Sequence, residues 1–272
     1  FRYNVGFNIS YNQNKIVENK EVPREYDYQM AKGKRIGSRK LYQFWKFYYE
    51  GAREDYEKEF GSPFPTQLAE TAGGELKPGD CVYIDLNGDN VINSDDMKYA
   101  SGYTDDPEYT MGINMGFNWK KLSFSMQWTG AWNVSRMLQG VYRQPFYANT
   151  DSEHGGLLQY MVDNAWTIDN PSQSAKYPRA TSVNVTNNYA DASLYEVDSK
   201  YLRLKTIQVA YDFKFPFMKK LGLTNLQASL SAYNLLTLSP YSKFGDPETS
   251  GKGDAPSYPL QRTYTLTLKL GF

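Results

Sequence analysis

The sequence lacks several features that mark common classes of protein. Its 272 residues include a single cysteine, Cys81, so no disulfide can form within the chain. It contains no run of about 18 apolar residues, the length that a transmembrane helix needs. Lysine and arginine together number 30, as do aspartate and glutamate, and this balance argues against a nucleic-acid-binding surface.

The sequence also lacks the motifs that mark common enzyme sites. The chain has one histidine, no nucleophile motif and no glycine-rich phosphate-binding loop. We therefore expect no catalytic site and no enzymatic activity. The mean hydropathy of −0.65 fits a water-soluble protein, but strands in which apolar and polar residues alternate also average to a low value.

Alternation is the strongest pattern that the sequence does show. In the last eleven residues, RTYTLTLKLGF, the even positions from Tyr264 to Phe272 are all large and apolar. Because successive side chains of a strand point to opposite faces, this pattern predicts a strand with one apolar and one polar face. The same pattern occurs in residues 1–11, 109–119, 122–132 and 226–235, and in the later half of a further strand at residues 201–213. Residues 37–49 are strand-like, although an aromatic cluster breaks their alternation, so about seven strands are predicted.

The predicted strands are joined by connections of two very different lengths. Lys120 and Lys121 form a tight turn, which makes a hairpin of the two flanking strands. Residues 50–106, 135–200 and 239–259 form long connections, and connections of this length are functional or have structure of their own. Short periplasmic turns that alternate with long extracellular loops are typical of outer-membrane barrels.

Two fold classes agree with the alternation. The apolar faces could cover the core of a soluble sheet or meet lipid in a transmembrane barrel. Most of the strands have about the 9–11 residues that a tilted membrane strand needs, with aromatic residues near both ends of the apolar face. We therefore predict an all-β, antiparallel transmembrane β-barrel with long extracellular loops. The alternative is a soluble, calcium-stabilised, glycan-binding β-sandwich.

Residues 85–96, DLNGDNVINSDD, match a calcium-binding loop. An EF-hand loop places its ligands at positions 1, 3, 5, 7, 9 and 12. The corresponding ligands here are Asp85, Asn87, Asp89, the carbonyl of Val91, Asn93 and Asp96. Position 6 is Asn90 in place of the usual glycine, and position 12 is aspartate in place of glutamate. The alternative is a polar turn that side-chain hydrogen bonds hold without a metal.

Aromatic residues near and within the second long connection are candidates for substrate binding, because their rings can stack on sugars. They are Trp132, Tyr142, Phe146, Tyr147 and Trp166. The alternative role for each is packing within the loops or placement in an interfacial girdle.

Six segments of the chain, in this order, resemble one family, the SusC-like TonB-dependent transporters of the Bacteroidetes outer membrane. They cover most of residues 78–272 and read PGDCVYIDLNGDNVINSDD (78–96), YTMGINMGFNWKKLSFSMQWTG (109–130), AWTIDNPSQSAKYPRA (165–180), DSKYLRLKTIQVAYDF (198–213), AYNLLTLSPYSKFGDPE (232–248) and YPLQRTYTLTLKLGF (258–272).

The resemblance implies a fold and a function. It implies a barrel of about 22 strands with a plugged lumen, of which this chain supplies the C-terminal part. We expect the plug domain, the segment that contacts TonB and the earlier strands to lie outside this sequence. The implied function is TonB-dependent import of large nutrients, oligosaccharides or peptides, across the outer membrane. The implied partners are TonB, outer-membrane lipid and a SusD-like surface lipoprotein.

Overall fold

The computed structural model describes residues 1–100, 102–147, 155–249 and 260–272. In chain order, the strands and α-helices are β1 (Arg2–Tyr11), β2 (Lys40–Leu41), β3 (Phe44–Phe47), α1 (Ala52–Phe60), α2 (Leu68–Thr71), β4 (Cys81–Tyr83), β5 (Lys98–Tyr99), β6 (Tyr109–Trp119), β7 (Leu122–Trp132), β8 (Ser135–Met137), α3 (Gln159–Asn164), α4 (Val185–Asn188), β9 (Glu196–Asp198), β10 (Tyr201–Phe213), β11 (Asn225–Leu238) and β12 (Thr263–Gly271). Short 3-10 helices occur at Asp27–Gln29, Ser94–Asp96, Gly140–Tyr142, Ser193–Tyr195, Pro216–Leu221 and Pro240–Lys243. Among the described residues, no helix is both long enough and apolar enough to cross a bilayer.

Six long strands form one antiparallel sheet in the order β1-β6-β7-β10-β11-β12. The register places residues of like character side by side across the sheet. One apolar row runs through Val5, Met115, Met126, Ile207, Ala232 and Tyr264. The adjacent polar row runs through Asn4, Gly116, Ser125, Gln208, Ser231 and Thr265. The predicted alternation is therefore confirmed in all six strands, and the sheet has one apolar and one polar face.

The seventh predicted strand, residues 37–49, is wrong as a member of this sheet. The segment forms the short strands β2 and β3, which pair with β5 and β4 respectively. Phe47 has no exposed surface and lies opposite Cys81, so the aromatic cluster packs into a core and does not form one face of a long strand.

The connections leave the sheet at opposite ends according to their length. Lys120 and Lys121 join β6 to β7, and residues 214–224 join β10 to β11, at what we call the turn end. Residues 12–108, 133–200 and 239–262 leave from the other end, which we call the loop end. The structure thus has the predicted alternation of short and long connections.

The described parts of the three long connections pack together into one folded unit, which we call the cap. Its hydrophobic core combines residues from all three connections: Leu41, Phe47, Cys81, Tyr83 and Ile92 from the first, Met137, Leu138, Met161, Trp166, Tyr177, Tyr189, Ala192 and Tyr195 from the second, and Tyr241 and Phe244 from the third. A hydrophobic core of the described chain therefore lies in the cap. Residues 148–154 and 250–259, which belong to the second and third predicted loops, lie outside the described residues.

A buried carboxylate ties the first two connections together. Asp80 has no exposed surface. It accepts hydrogen bonds from Arg179 Nε at 2.6 Å, Asn188 Nδ2 at 2.8 Å, Asn184 Nδ2 at 2.9 Å and the Lys77 backbone N–H at 2.9 Å. Since a buried charge is tolerated only when it is paired and hydrogen-bonded, these contacts fix residues 77–80 against residues 179–188.

The apolar face of the sheet is open to its surroundings. Val5, Phe7, Leu230, Leu266 and Leu268 are between 56% and 72% exposed. The other three described sheets have two strands each and lie in the cap, so no second sheet of the described chain covers this face. A β-sandwich packs two such sheets face to face, an arrangement that the described residues do not show.

Candidate functional site

A cleft of about 450 Å³ opens where the polar face of the sheet meets the cap. Its floor includes Thr110, Ala131 and Tyr201, which lie side by side on β6, β7 and β10. The remaining lining residues are Asp105, Asp106, Pro107, Val134, Arg136, Pro247 and Glu248. Carboxylates, a guanidinium group and a phenol in one cleft can form hydrogen bonds with a polar ligand that reaches the sheet from the loop end.

An ion-pair network holds the third connection on the polar face beside this cleft. Arg203 lies on the polar face of β10 and its side chain is 1% exposed. Its guanidinium contacts Glu248 Oε2 at 2.6 Å and Asp246 Oδ2 at 2.7 Å, and its Nε donates to Thr237 Oγ1 at 2.9 Å. Lys205, at a bulge in β10, contacts the same Glu248 oxygen at 2.7 Å. The sequence predictions did not include this network; its signal is the pair of charged residues, Arg203 and Lys205, close together inside a strand of alternating character.

Two of the predicted substrate-binding residues belong to the interior of the cap. Trp166 is 5% exposed, and its ring lies against Gly79. Tyr142 is half-buried against the cap core, with its ring centroid 6.2 Å from that of Phe244. Burial leaves Trp166 no open ring face, so the structure places it in packing and not in contact with a sugar.

The other three predicted residues lie on different surfaces. Trp132 ends β7 opposite Tyr109, on the apolar face of the sheet. Phe146 is 54% exposed and has a positive φ of 55°, and Tyr147 beside it is half-buried. The structure does not bring the five aromatic residues together into one surface, and Phe146 alone among them exposes more than half of its side chain.

The calcium-type loop is closed by hydrogen bonds from its own backbone. Asn90 has a φ of 64°, so the residue at position 6 adopts the left-handed conformation for which asparagine is suited. The Asp85 carboxylate accepts from the backbone N–H groups of Gly88 at 2.7 Å and Asn90 at 2.8 Å. Asp89 accepts from the Val91 N–H at 2.8 Å, and this contact lowers the pKa of Asp89.

Asp96 anchors the end of the same loop. It has no exposed surface and accepts from the backbone N–H groups of Leu86 and Asn93, both at 2.8 Å. Burial, and to a smaller extent the charge of Asp85, raises the pKa of Asp96. A buried carboxylate without a positive partner is the kind of group whose charge a cation would balance.

The donors in this loop fit calcium in type. All are oxygen atoms, and each carboxylate oxygen that accepts one hydrogen bond keeps a further lone pair for a hard cation. In the residues that the structure describes, however, no three His, Cys, Asp or Glu side chains converge on a common metal-binding point. Hydrogen bonds within the loop are also what the metal-free alternative predicts, so calcium binding stays a prediction.

Comparisons with known proteins agree with this architecture. No protein-family model matches the chain. TonB-dependent receptor P3 of Formosa agariphila is 26% identical over 296 residues, which cover 100% of this chain and 27% of that protein. TonB-dependent receptor P26 of the same organism is 29% identical over 206 residues, which cover 71% of this chain and 20% of that protein.

Solved structures show the same fold. The structure of the RagAB peptide transporter matches with a TM-score of 0.66 at 18% identity, over 99% of this chain and 27% of that chain. The RagAB peptide importer in its open-open state matches with a TM-score of 0.64 at 19% identity, over the same fractions. This chain thus spans about 27% of the length of the relatives that it matches from end to end. The resemblance that the sequence motifs carry is therefore confirmed: along its whole length, this chain is related to the TonB-dependent receptors.

Proposed function

We propose that this chain is a membrane-embedded part of a TonB-dependent importer in the bacterial outer membrane. The observation that carries the proposal is an uncharged band across the sheet. Residues 3–11, 109–119, 122–132, 206–211, 225–238 and 263–268 contain no Asp, Glu, Lys or Arg. Apolar side chains of this band are exposed on β1, β11 and β12, as in Val5, Leu230 and Leu266. A soluble sheet has no reason to expose such a band, whereas a barrel strand places it in the hydrocarbon layer.

The sheet needs further strands to be stable in that layer. β1 and β12 are its two edges, and an unpaired edge in hydrocarbon leaves backbone groups without hydrogen-bond partners. We propose that strands outside this chain complete it into a closed barrel of about 22 strands with a plug in its lumen. The length of the curated relatives, of which this chain covers about a quarter, supports that proposal.

The cap and the cleft support a role in the uptake of large nutrients. The polar face of the sheet would then line the lumen, with short turns in the periplasm and the cap outside the cell. A ligand that reaches the cleft from the loop end meets hydrogen-bonding groups suited to either an oligosaccharide or a peptide. The solved RagAB relatives are described as a peptide importer, so peptides belong in any test beside glycans. We propose a SusD-like lipoprotein as the partner that covers the loop end, TonB as the partner that acts through another segment, and no catalytic role.

Uptake measurements test this function. The full-length transporter that carries this chain would be expressed in cells with and without TonB, and labelled oligosaccharides and peptides supplied separately. We expect the protein in the outer-membrane fraction, TonB-dependent uptake of one nutrient class, and co-purification of a surface lipoprotein. A protein that stays in the aqueous fraction without detergent would refute the proposal, as would uptake that does not depend on TonB.

We also propose that residues 85–96 bind Ca²⁺ and thereby stabilise the cap. The support is the buried carboxylate of Asp96, on which the charge of Asp85 acts, together with the oxygen donors of Asp85 and Asp89 in the same loop. A bound cation would supply the positive charge that this loop lacks, while the backbone hydrogen bonds already described would hold the donors in place.

A further inference from the structure

The turn end of the sheet concentrates positive charge. It consists of residues 1–3, 119–122, 212–225 and 269–272, which contain seven of the 30 basic residues and only one of the 30 acidic residues, Asp212. The rest of the chain therefore carries 23 basic and 29 acidic residues, so a neutral chain is polarised along its strands. The seven basic residues are Arg2, Lys120, Lys121, Lys214, Lys219, Lys220 and Lys269.

This charge is not neutralised within the part of the chain that the structure describes. None of the described ion pairs involves a basic side chain of the turn end. The one acidic residue, Asp212, accepts a hydrogen bond from Gln227 Nε2 at 2.8 Å. Toward the loop end, by contrast, Arg39 and Arg179 in the cap and Arg203 on β10 each contact a carboxylate at 2.7 Å or less. The exposed basic groups of the turn end therefore remain available to an external anion; they are Arg2, Lys120, Lys214, Lys220 and Lys269.

A column of aromatic rings lies among these basic residues. It begins on the apolar face and continues into the turn through Tyr211, Phe213, Phe215 and Phe217, whose successive ring centroids are 4.9, 5.6 and 5.5 Å apart. Phe215 is 43% exposed and Phe217 is 50% exposed. On the neighbouring hairpin, Trp119 is 52% exposed and lies under Lys120, whose Nζ is 5.3 Å from the ring centroid.

Rings and lysines in this arrangement match the boundary of a bilayer. Aromatic side chains are enriched at the level of the lipid head groups, and lysine can lay its apolar stem along them while its ammonium reaches outward. At that level the ammonium meets lipid phosphates. Clusters of lysine at a membrane surface favour lipids with net negative charge, since a zwitterionic head group offsets its own phosphate.

We propose that the turn end binds the phosphate head groups of anionic phospholipids through Lys120, Lys214 and Lys220, beside the aromatic column. All three lysines are exposed. The inference rests on the proposed function, because it needs the sheet to lie in a bilayer. Beyond that function, the inference states that the turn end selects lipids by the charge of their head groups. The anion that it binds is a phosphate of the adjoining lipid leaflet.

Lipid binding to the purified, full-length transporter tests the proposal. Native mass spectrometry in a neutral detergent would compare phosphatidylglycerol with phosphatidylcholine. The test variant carries K120Q, K214Q and K220Q, and the matched control carries K15Q, K32Q and K176Q, which remove three exposed lysines from the cap. We expect phosphatidylglycerol to bind at least about tenfold more tightly than phosphatidylcholine, and the test variant to lose roughly tenfold to a hundredfold of that affinity. The control and a variant with arginine at the same three turn-end positions should keep it.

Three results of the lipid comparison would overturn the proposal. They are equal binding of the two lipids, an unchanged affinity in the test variant, and an equal loss in the cap control. Full competition by glycerol 3-phosphate would also refute a lipid surface and assign the site to a free phosphate. A transporter that fractionates with membranes but shows no preference for anionic lipid would refute this inference alone, whereas a protein that is soluble without detergent would refute the proposed function.

Discussion

Gly79 is the position at which the cap should be most sensitive to a single methyl group. Its φ is 88°, and a Cβ placed on it would lie 2.2 Å from Cε3 of Trp166 and 2.7 Å from Cδ2. The backbone has no room to withdraw, because the Gly79 N–H donates to the Tyr48 carbonyl at 2.8 Å and its own carbonyl accepts from the Arg179 N–H at 3.0 Å. Gly79→Ala must therefore move the buried Trp166 ring or break these contacts.

The magnitude follows from two separate costs. A side chain in the left-handed region costs about 1–2 kcal/mol. Overpacking a core by one methyl group costs about 1–3 kcal/mol more. Gly51→Ala is the matched control, since Gly51 has a φ of 92° but nothing lies within 4 Å of the point that its Cβ would occupy, so only the first cost applies.

Hydrogen exchange measured by mass spectrometry provides the assay. For Gly79→Ala, peptides that cover residues 77–84 and 164–180 should exchange faster by a factor of about 30 or more, the lower limit of the summed costs. Peptides around residue 51 in Gly51→Ala should change by a factor of about 5–30. Adding Trp166→Ala to Gly79→Ala should cost less than the sum of the two single changes, because the clash is removed. Equal effects of the two glycine variants would refute the steric reasoning, and an additive double variant would contradict the contact with Trp166.

Three further predictions concern the polar face and the calcium-type loop. Arg203→Met should lower the free energy of opening of residues 240–249 by about 3–5 kcal/mol, because two carboxylates lose a buried partner. Lys200→Met removes only an exposed ion pair and should lower stability by less than about 1 kcal/mol. Hydrogen exchange of residues 240–249 distinguishes the two variants. Calcium at about a hundred times its Kd should raise the unfolding free energy by about 2.7 kcal/mol. Asp89→Ala should abolish this gain in unfolding free energy. Asp95 lies outside the ligand positions, so Asp95→Ala should retain the gain. Calorimetry that detects no binding at millimolar calcium would contradict the site. Without calcium, the pKa of Asp96 is raised in the folded protein. Its contribution to stability is therefore full below the unfolded-state pKa and is lost as the pH rises through the folded-state pKa. Asp96→Asn should flatten this part of the pH–stability profile.

The sheet could be predicted from the sequence because its signal is local. Each strand alternates along its own length, and pairing in register then joins the apolar positions into rows such as the one through Val5 and Met115. The prediction of a long strand at residues 37–49 was wrong for the opposite reason. Its aromatic residues are placed by a partner far along the chain, as Phe47 is by Cys81, and no local pattern encodes that partner.

The candidate site was less predictable because burial, not residue type, decides what each side chain can contact. Trp166 has the ring that a sugar site needs, but its fit against Gly79 places it in a core. Arg203 and Glu248 are 45 residues apart, and their contact depends on the third connection folding back over β10. The conformation of the loop at residues 85–96 was easier to predict, because the motif's spacing is contained in twelve consecutive residues. Asn90 adopts the left-handed backbone conformation expected at position 6.

Accessibility along β12 tests the central claim, that the apolar face of the sheet meets lipid. Leu268→Cys and Thr267→Cys place a spin label on opposite faces of the same strand, while Cys81 is buried and its raised thiol pKa keeps it unreactive. In the full-length protein in a bilayer, the label at position 268 should collide mainly with dissolved oxygen, and the label at position 267 mainly with a water-soluble nickel chelate. Equal exposure of both labels to the nickel chelate would contradict the account.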